Sequence, residues 1–228
     1  MKTKIYYDGV NIKEFIDQVD GVTTNTSYIA SAGITNYNKF IDESVEAAKG
    51  KPISFQVTET DMHSIVNQAK HIATKGENVY VKIPIVLPNG ESTKELIRDL
   101  HISGIKVNIT CIHTVQQTID ACAAVIYNKT PSIISLFAGG VFDSGNDPKK
   151  MFDLAYDLIG HHENIEILYA GCQRVYSIPE ANNWKSDIIT VPDAVMKKLN
   201  RMEYNELETS IKTPMLFFED GSKLDFIL

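Results

Sequence analysis

Val79-Tyr80-Val81-Lys82-Ile83-Pro84-Ile85 is the most apolar strand-like run of the chain, and a lysine sits in its middle. Alternate residues of a strand face one side, so Tyr80 and Lys82 point together while Val79, Val81 and Ile83 point the other way. A run that is apolar on one face and nearly so on the other suits a parallel strand covered by helices. The lysine then points away from those helices, into the lumen of a closed sheet. A core strand has no room for an ammonium without a partner or a task. Burial disfavours the charged form, so Lys82 is expected to have a lowered pKa and a neutral fraction near neutrality. A neutral amine attacks a carbonyl and forms a Schiff base. The other reading is a lysine that snorkels to the strand end and pairs with a carboxylate.

Comparable short β-branched runs recur along the chain, at Lys4–Asp8, Gly21–Asn25, Ile53–Val57, Val79–Ile83, Lys106–Thr110, Ser132–Phe137, Ile165–Ala170 and Ile188–Val191. Between them lie stretches with apolar residues at helical spacing, such as Phe40, Val45 and Ala48, or Ile65, Ala69, Ile72 and Ala73. Asp61 and Ser92 are expected to cap two of these helices, and Gly76 to stop one. Strand and helix in alternation predict a parallel sheet. Eight units in series suit a (β/α)8 TIM barrel better than a doubly wound sheet, although 228 residues is slightly short of the about 250 typical of that barrel. Asp8-Gly9-Val10-Asn11 follows the first strand where a dinucleotide-binding sheet would carry its glycine fingerprint. One domain is expected over residues 1–228, ending in a C-terminal helix and tail over about 200–228. The expected helix is Arg201–Ile211, followed by apolar Met215-Leu216-Phe217-Phe218 and Leu224-Asp225-Phe226-Ile227-Leu228. An apolar tail of this kind docks on its own barrel or on a neighbouring subunit.

Hydrophobic residues make up 43% of the chain and charged residues 22%, the balance of a globular protein in water. A net charge of −7 argues against nucleic acid and anionic membrane surfaces as partners. With no run long enough to span a bilayer and no signal segment, a cytoplasmic location is expected. The three cysteines and six histidines show no metal-ligand spacing, so no metal site is expected.

Polar groups stand at the ends of other strands too: Asp8, Asn25, Gln56, Asn108 with Thr110 one pleat later, and Ser135. The carboxyl ends of the strands are where barrel enzymes carry catalysis. A Schiff-base lyase needs an amine, a proton shuttle, and hydrogen-bonding groups for substrate hydroxyls. Asp8 can serve as acid/base, Asn25 and Asn108 can orient Lys82 or the substrate, and Gln56 and Thr110 can hold a water. Taken singly, Asp8 also reads as a helix cap and Thr110 as an ordinary strand residue.

Tyr7-Asp8-Gly9-Val10-Asn11, Asp20-Gly21-Val22-Thr23-Thr24-Asn25, Val81-Lys82-Ile83-Pro84 and Val107-Asn108-Ile109-Thr110 resemble the transaldolase family, and especially its short members of the fructose-6-phosphate aldolase type. Weaker matches follow at Ser135-Leu136-Phe137 and Ile189-Thr190-Val191-Pro192, so the resemblance spans Lys4 to about Leu199. It implies a (β/α)8 barrel in which Lys82 forms the Schiff base with a dihydroxyacetone-like unit. Asp8 would be the acid/base, Gln56 the water-holding residue, and Asn25, Asn108 and Thr110 polar site residues. Catalytic roles are thus expected for Lys82, Asp8, Gln56 and Thr110, and substrate contacts for Asn25, Asn108, Ser135, Phe137 and Arg174. The family's short members often form rings, with the C-terminal helix on a neighbour, which implies a homo-oligomer without cofactor.

The departures bear on substrate. Thr26 follows Asn25 where the family has proline, and Gly140 stands where it has a phosphate-binding arginine. The seventh strand ends in Ala170-Gly171-Cys172-Gln173, with Arg174 one position beyond the family's basic residue. Gln56 pairs with Phe137, a mixture of the transaldolase and aldolase patterns, and His113 replaces a common phenylalanine. The expected activity is the making or breaking of a carbon–carbon bond in a ketose or hydroxy-ketone, with a non-phosphorylated sugar favoured by the altered anion site. The alternatives are a catalytically altered barrel serving as a binding or assembly subunit, and a lyase acting on a keto acid held by Arg174.

Overall fold

The computed structural model describes residues 2–225. Its strands are β1 (Lys4–Asp8), β2 (Gly21–Thr23), β3 (Ile53–Gln56), β4 (Val79–Pro84), β5 (Val107–Ile112), β6 (Ser132–Phe137), β7 (Ile165–Ala170) and β8 (Ile188–Pro192). All pair in parallel in sequence order, and β8 returns to β1 through Lys4↔Ile188 to Asp8↔Pro192, which closes the barrel. The helices are α1 (Ile12–Phe15), α2 (Thr26–Ser31), α3 (Tyr37–Ala47), α4 (Met62–Ala73), α5 (Lys94–Ile102), α6 (Val115–Val125), α7 (Ala138–Asp143), α8 (Lys149–Ile159), α9 (Ser177–Asn183), α10 (Asp193–Met196) and α11 (Glu206–Gly221). The fold is the (β/α)8 barrel expected from the strand–helix alternation.

Strand parity divides the apolar residues into two cores. Val79, Val81 and Ile83 face outward and pack with helix residues such as Ile65, Ala69 and Ile72 of α4. Tyr6, Tyr80, Ile133, Leu168 and Ile188 face inward and fill the lower lumen. Gly21 is part of that packing, because a Cβ there would stand 2.6 Å from the Tyr6 ring. The ring is also tied where the chain closes: the Tyr7 phenol donates to Asp193, whose second oxygen accepts from the Asn11 amide at 2.9 Å.

Local signals hold unevenly. The Asp61 carboxylate caps α4 by accepting from the Ser64 N–H at 2.9 Å. Ser92 is not the cap of α5: that position is Thr93, and the Ser92 hydroxyl accepts from the Lys94 N–H at 3.3 Å. α4 already ends at Ala73, with Thr74 as its cap, so Gly76 lies in the turn beyond it. Asp8 is not a helix cap, since α1 begins after Asn11.

The C-terminal helix starts later and runs further than expected. Asn205 and Glu208 form a reciprocal capping box at its start, and the helix continues through Pro214 to Gly221. Met215–Phe218 are therefore helical rather than part of a tail. Every residue of α11 is exposed, including Phe218 at 80%. The terminal Phe226-Ile227-Leu228 lies outside the described residues.

Candidate active site

Barrel closure places Lys82 between two polar neighbours at its own level. Gln56 of β3 lies opposite it on one side, and Asn108 of β5 on the other. Lys82 as a residue is 6% exposed, and the hydrogen bond of its amine among the described residues is a long one, 3.4 Å to the Thr24 carbonyl. It reaches neither bulk solvent nor an ion-pair partner among those residues, unlike a snorkelling structural lysine.

Asp8 ends β1 opposite Thr23 of β2, whose hydroxyl donates to the carboxylate at 2.6 Å. The cavity leaves part of this carboxylate accessible, yet protein surrounds it. That desolvation pushes its pKa above the ordinary value, while the charge of Lys82 and the Thr23 hydrogen bond pull the other way. A carboxyl whose pKa is raised by burial and that is faced by an amine is suited to taking and returning a proton.

A polar chain supports Lys82 from β5. The Ser135 hydroxyl donates to Asn108 Oδ1 at 2.6 Å, and Asn108 Nδ2 donates to Ser54 Oγ at 3.0 Å. All three are buried, so the amide is held in one orientation. Thr110 is also buried, and its hydroxyl has no hydrogen-bond partner among the described residues.

These groups meet at a cavity of about 380 Å³ at the carboxyl ends of the strands. Asp8, Asn25, Gln56, Lys82, Ser135 and Phe137 line it. Asn108 and Thr110 are buried behind that lining. Asn25 also accepts the Tyr28 N–H at 3.0 Å, which starts α2. A larger cleft of about 830 Å³ involves the other end of the barrel, but its strand charges are already engaged, with Lys4 Nζ 2.7 Å from Glu166.

Arg174 is not brought to the cavity. Its guanidinium lies 5.7 Å over the Phe142 ring and 6.0 Å over the Tyr176 ring, with Glu180 at 3.5 Å. Those aromatic and acidic partners hold it on the surface. The turn after β7 is made by Gly171 at φ +79, a conformation that favours glycine. Gly139 packs against this turn: a Cβ on Gly139 would stand 2.2 Å from the Gly171 carbonyl oxygen. Gly139→Ala is expected to destabilise by about 1–3 kcal/mol, seen as a fall in Tm of about 2–12 °C in thermal denaturation. A Cβ on Gly140 would meet His113 Nε2 at 2.7 Å. The imidazole, with its Nδ1 3.0 Å from the Cys111 carbonyl, occupies the space that a side chain at position 140 would use.

Tertiary structure brings further residues to the site. Thr23 is recognisable only through its register with Asp8. Cys111 lines the cavity because β5 shifts register between Ile109 and Ile112, with Cys111 itself at φ +60. Tyr28 lines it from the first turn of α2.

The profile of the family "Transaldolase/Fructose-6-phosphate aldolase" matches residues 6–225. The chain belongs to the transaldolase/fructose-6-phosphate aldolase family. A "Probable transaldolase" of Streptococcus equi subsp. equi is 32% identical over 225 residues, covering 95% of this chain and 97% of the relative. A "Probable transaldolase" of Methanococcus maripaludis is 31% identical over 205 residues, covering 86% of this chain and 89% of the relative. Solved structures resemble this family member in fold alone. A putative fructose-1,6-bisphosphate aldolase from Coccidioides immitis aligns at TM-score 0.58 and 11% identity, over 90% of this chain and 82% of its own. A 3-hexulose-6-phosphate synthase from Salmonella typhimurium aligns at TM-score 0.58 and 14% identity, over 86% and 91%. Membership makes this transaldolase-family chain an enzyme of aldolase type acting on a small sugar-like molecule. No helix among the described residues is long and apolar enough to cross a membrane.

Proposed function

We propose that this aldolase-type enzyme makes or breaks a carbon–carbon bond in a ketose or hydroxy-ketone through a Schiff base on Lys82. The observation that carries the reading is the placement of an enclosed amine and an enclosed carboxyl on one small cavity. The amine adds to the substrate ketone, and loss of water leaves an iminium. Asp8 then takes the proton of the hydroxyl on the carbon beyond the bond to be broken. That carbon leaves as an aldehyde, and the bonding electrons form an enamine on the retained fragment. Reprotonation and hydrolysis release the fragment, or addition to a second aldehyde transfers it. Gln56 and Thr110 are read as groups that orient the water these steps release and consume. Asn25, Asn108 and Ser135 are read as positioning the amine and the substrate hydroxyls.

The favoured substrate is non-phosphorylated. Asp8 and Lys82 are the charged residues of the cavity lining, Gly140 and Gly171 offer no side chain, and Arg174 is engaged elsewhere. A phosphate calls for a forked guanidinium or an equivalent cradle of donors. Borohydride reduction in the presence of dihydroxyacetone or fructose 6-phosphate tests the chemistry: it should leave a mass adduct on Lys82. Failure to trap any ketose there would overturn the Schiff-base reading.

The chain is read as one domain working in the cytoplasm, in keeping with its three free cysteines. It is also read as a homo-oligomer. Leu207, Ile211, Met215 and Phe218 recur on one side of α11, and each is more than half exposed. A second copy is the natural cover for such a face. Replacing Ile211 and Phe218 together by aspartate is expected to reduce a multimer to a species near 25.5 kDa in sedimentation velocity. Wild-type protein sedimenting as a monomer would refute the oligomer.

A further inference from the structure

Tyrosines near the upper barrel mostly have their phenols engaged. Tyr7 donates to Asp193, Tyr37 to the Gln56 carbonyl at 2.7 Å, and Tyr169 to Glu180 at 2.8 Å. Tyr28 is the contrast. Its backbone N–H is held by Asn25 at 3.0 Å, which pins the first turn of α2 at the barrel mouth. Its half-buried side chain lines the same cavity as Lys82 and Asp8, and the phenol has no partner among the described residues. A polar group brought into a site and left without an internal partner is available to a ligand.

We propose that Tyr28 is a substrate-binding residue whose phenol donates a hydrogen bond to a hydroxyl oxygen of a short, uncharged polyhydroxy ketone. The bond is made to the part of the substrate that extends beyond the three carbons held at Lys82. Burial, with the nearby charges of Asp8 and Asp193, pushes the phenol up to about 12, so it keeps its proton and acts as a donor at working pH. The same two carboxylates make this side of the cavity unfavourable for a phosphate dianion. Ser135, Thr190 and Gln56, which share the lining, are hydroxyl and amide groups of the kind that match a polyol. A cavity of about 380 Å³ has room for a small ketose.

The inference rests on the Lys82 Schiff base, and borohydride trapping separates the two. The half-saturating concentration for adduct formation on Lys82 is measured for dihydroxyacetone, erythrulose, fructose and fructose 6-phosphate, in wild type and in Tyr28→Phe. Thermal denaturation first checks that the variant, which lacks one oxygen, folds as wild type does. The wild type should half-saturate at lower concentration with erythrulose or fructose than with fructose 6-phosphate. Tyr28→Phe should raise that concentration about tenfold for erythrulose and fructose, and less than twofold for dihydroxyacetone. Tyr28→Leu should behave like Tyr28→Phe, because both lack the hydroxyl. Equal shifts for all ketoses, no shift for any, or tighter trapping of fructose 6-phosphate by wild type would overturn the role of Tyr28. Absence of every adduct in wild type would instead remove the Lys82 chemistry, and the inference with it.

Discussion

Lys82→Met is expected to abolish the borohydride-trapped adduct and to lower carbon–carbon bond turnover by at least about 10⁴-fold. No other amine lines the cavity among the described residues, so nothing nearby can take over the covalent step. The variant should also show a pH-dependent loss of stability. In wild type the charge of Lys82 lowers the pKa of Asp8 against the desolvation that raises it. Removing the amine leaves desolvation less opposed, so the folded-state pKa of Asp8 rises further. An acid whose folded-state pKa exceeds its unfolded value favours folding below the unfolded pKa and loses that contribution as pH rises through the folded one. The Tm of Lys82→Met should therefore approach that of wild type in acid and fall below it toward neutral and alkaline pH. Adding Asp8→Asn should remove that pH dependence by leaving no buried carboxyl to ionise. A Tm difference that stays constant with pH would show that the two groups are not coupled. An unchanged cellular role for Lys82→Met would favour the assembly-subunit reading over the enzymatic one.

Asp8→Asn is expected to slow turnover by about 10²–10⁴-fold, the usual contribution of a positioned acid/base. The lesion should fall on the proton transfer that accompanies bond cleavage. Borohydride should therefore still trap dihydroxyacetone on Lys82 in this variant, while release of an aldehyde from a longer ketose nearly stops. Thr23 can continue to donate to the asparagine oxygen at position 8, so the local geometry is retained. The pH profile provides a second readout. Cleavage needs the ionised carboxyl, whose pKa burial raises, so wild-type activity should fall with acid at a higher pH than an ordinary carboxylate would dictate. Asp8→Asn should flatten that limb. Loss of the dihydroxyacetone adduct in the variant would instead place Asp8 in the step that forms the Schiff base.

Much of the barrel was legible locally. All the strands read from β-branched runs reappear, with ends shifted by at most two residues, as in β2, which stops at Thr23 rather than Asn25. The outward packing of Val79, Val81 and Ile83 follows from the alternation of side chains along a strand. The candidate site was legible where polar residues end strands: Asp8, Gln56, Lys82 and Ser135 all reach the cavity. Arg174 stands off the cavity, because the turn at Gly171 and the rings of Phe142 and Tyr176 decide where it goes. Tyr28 is not legible in this way, since one aromatic residue in a short helix produces no periodic signal.

Strand positions, the side each residue faces and the solitary lysine among apolar neighbours are properties of covalent geometry and local composition, so one chain read alone carried them. Which groups stand beside that lysine is another matter. Gln56 and Asn108 flank it, Thr23 meets Asp8, and Gly139 packs on Gly171 because parallel strands pair in one register and the ring closes on itself. Register depends on contacts between segments dozens of residues apart, each favourable only once the others have formed. Those neighbours, and with them the chemistry available at the amine, were decided by the tertiary structure.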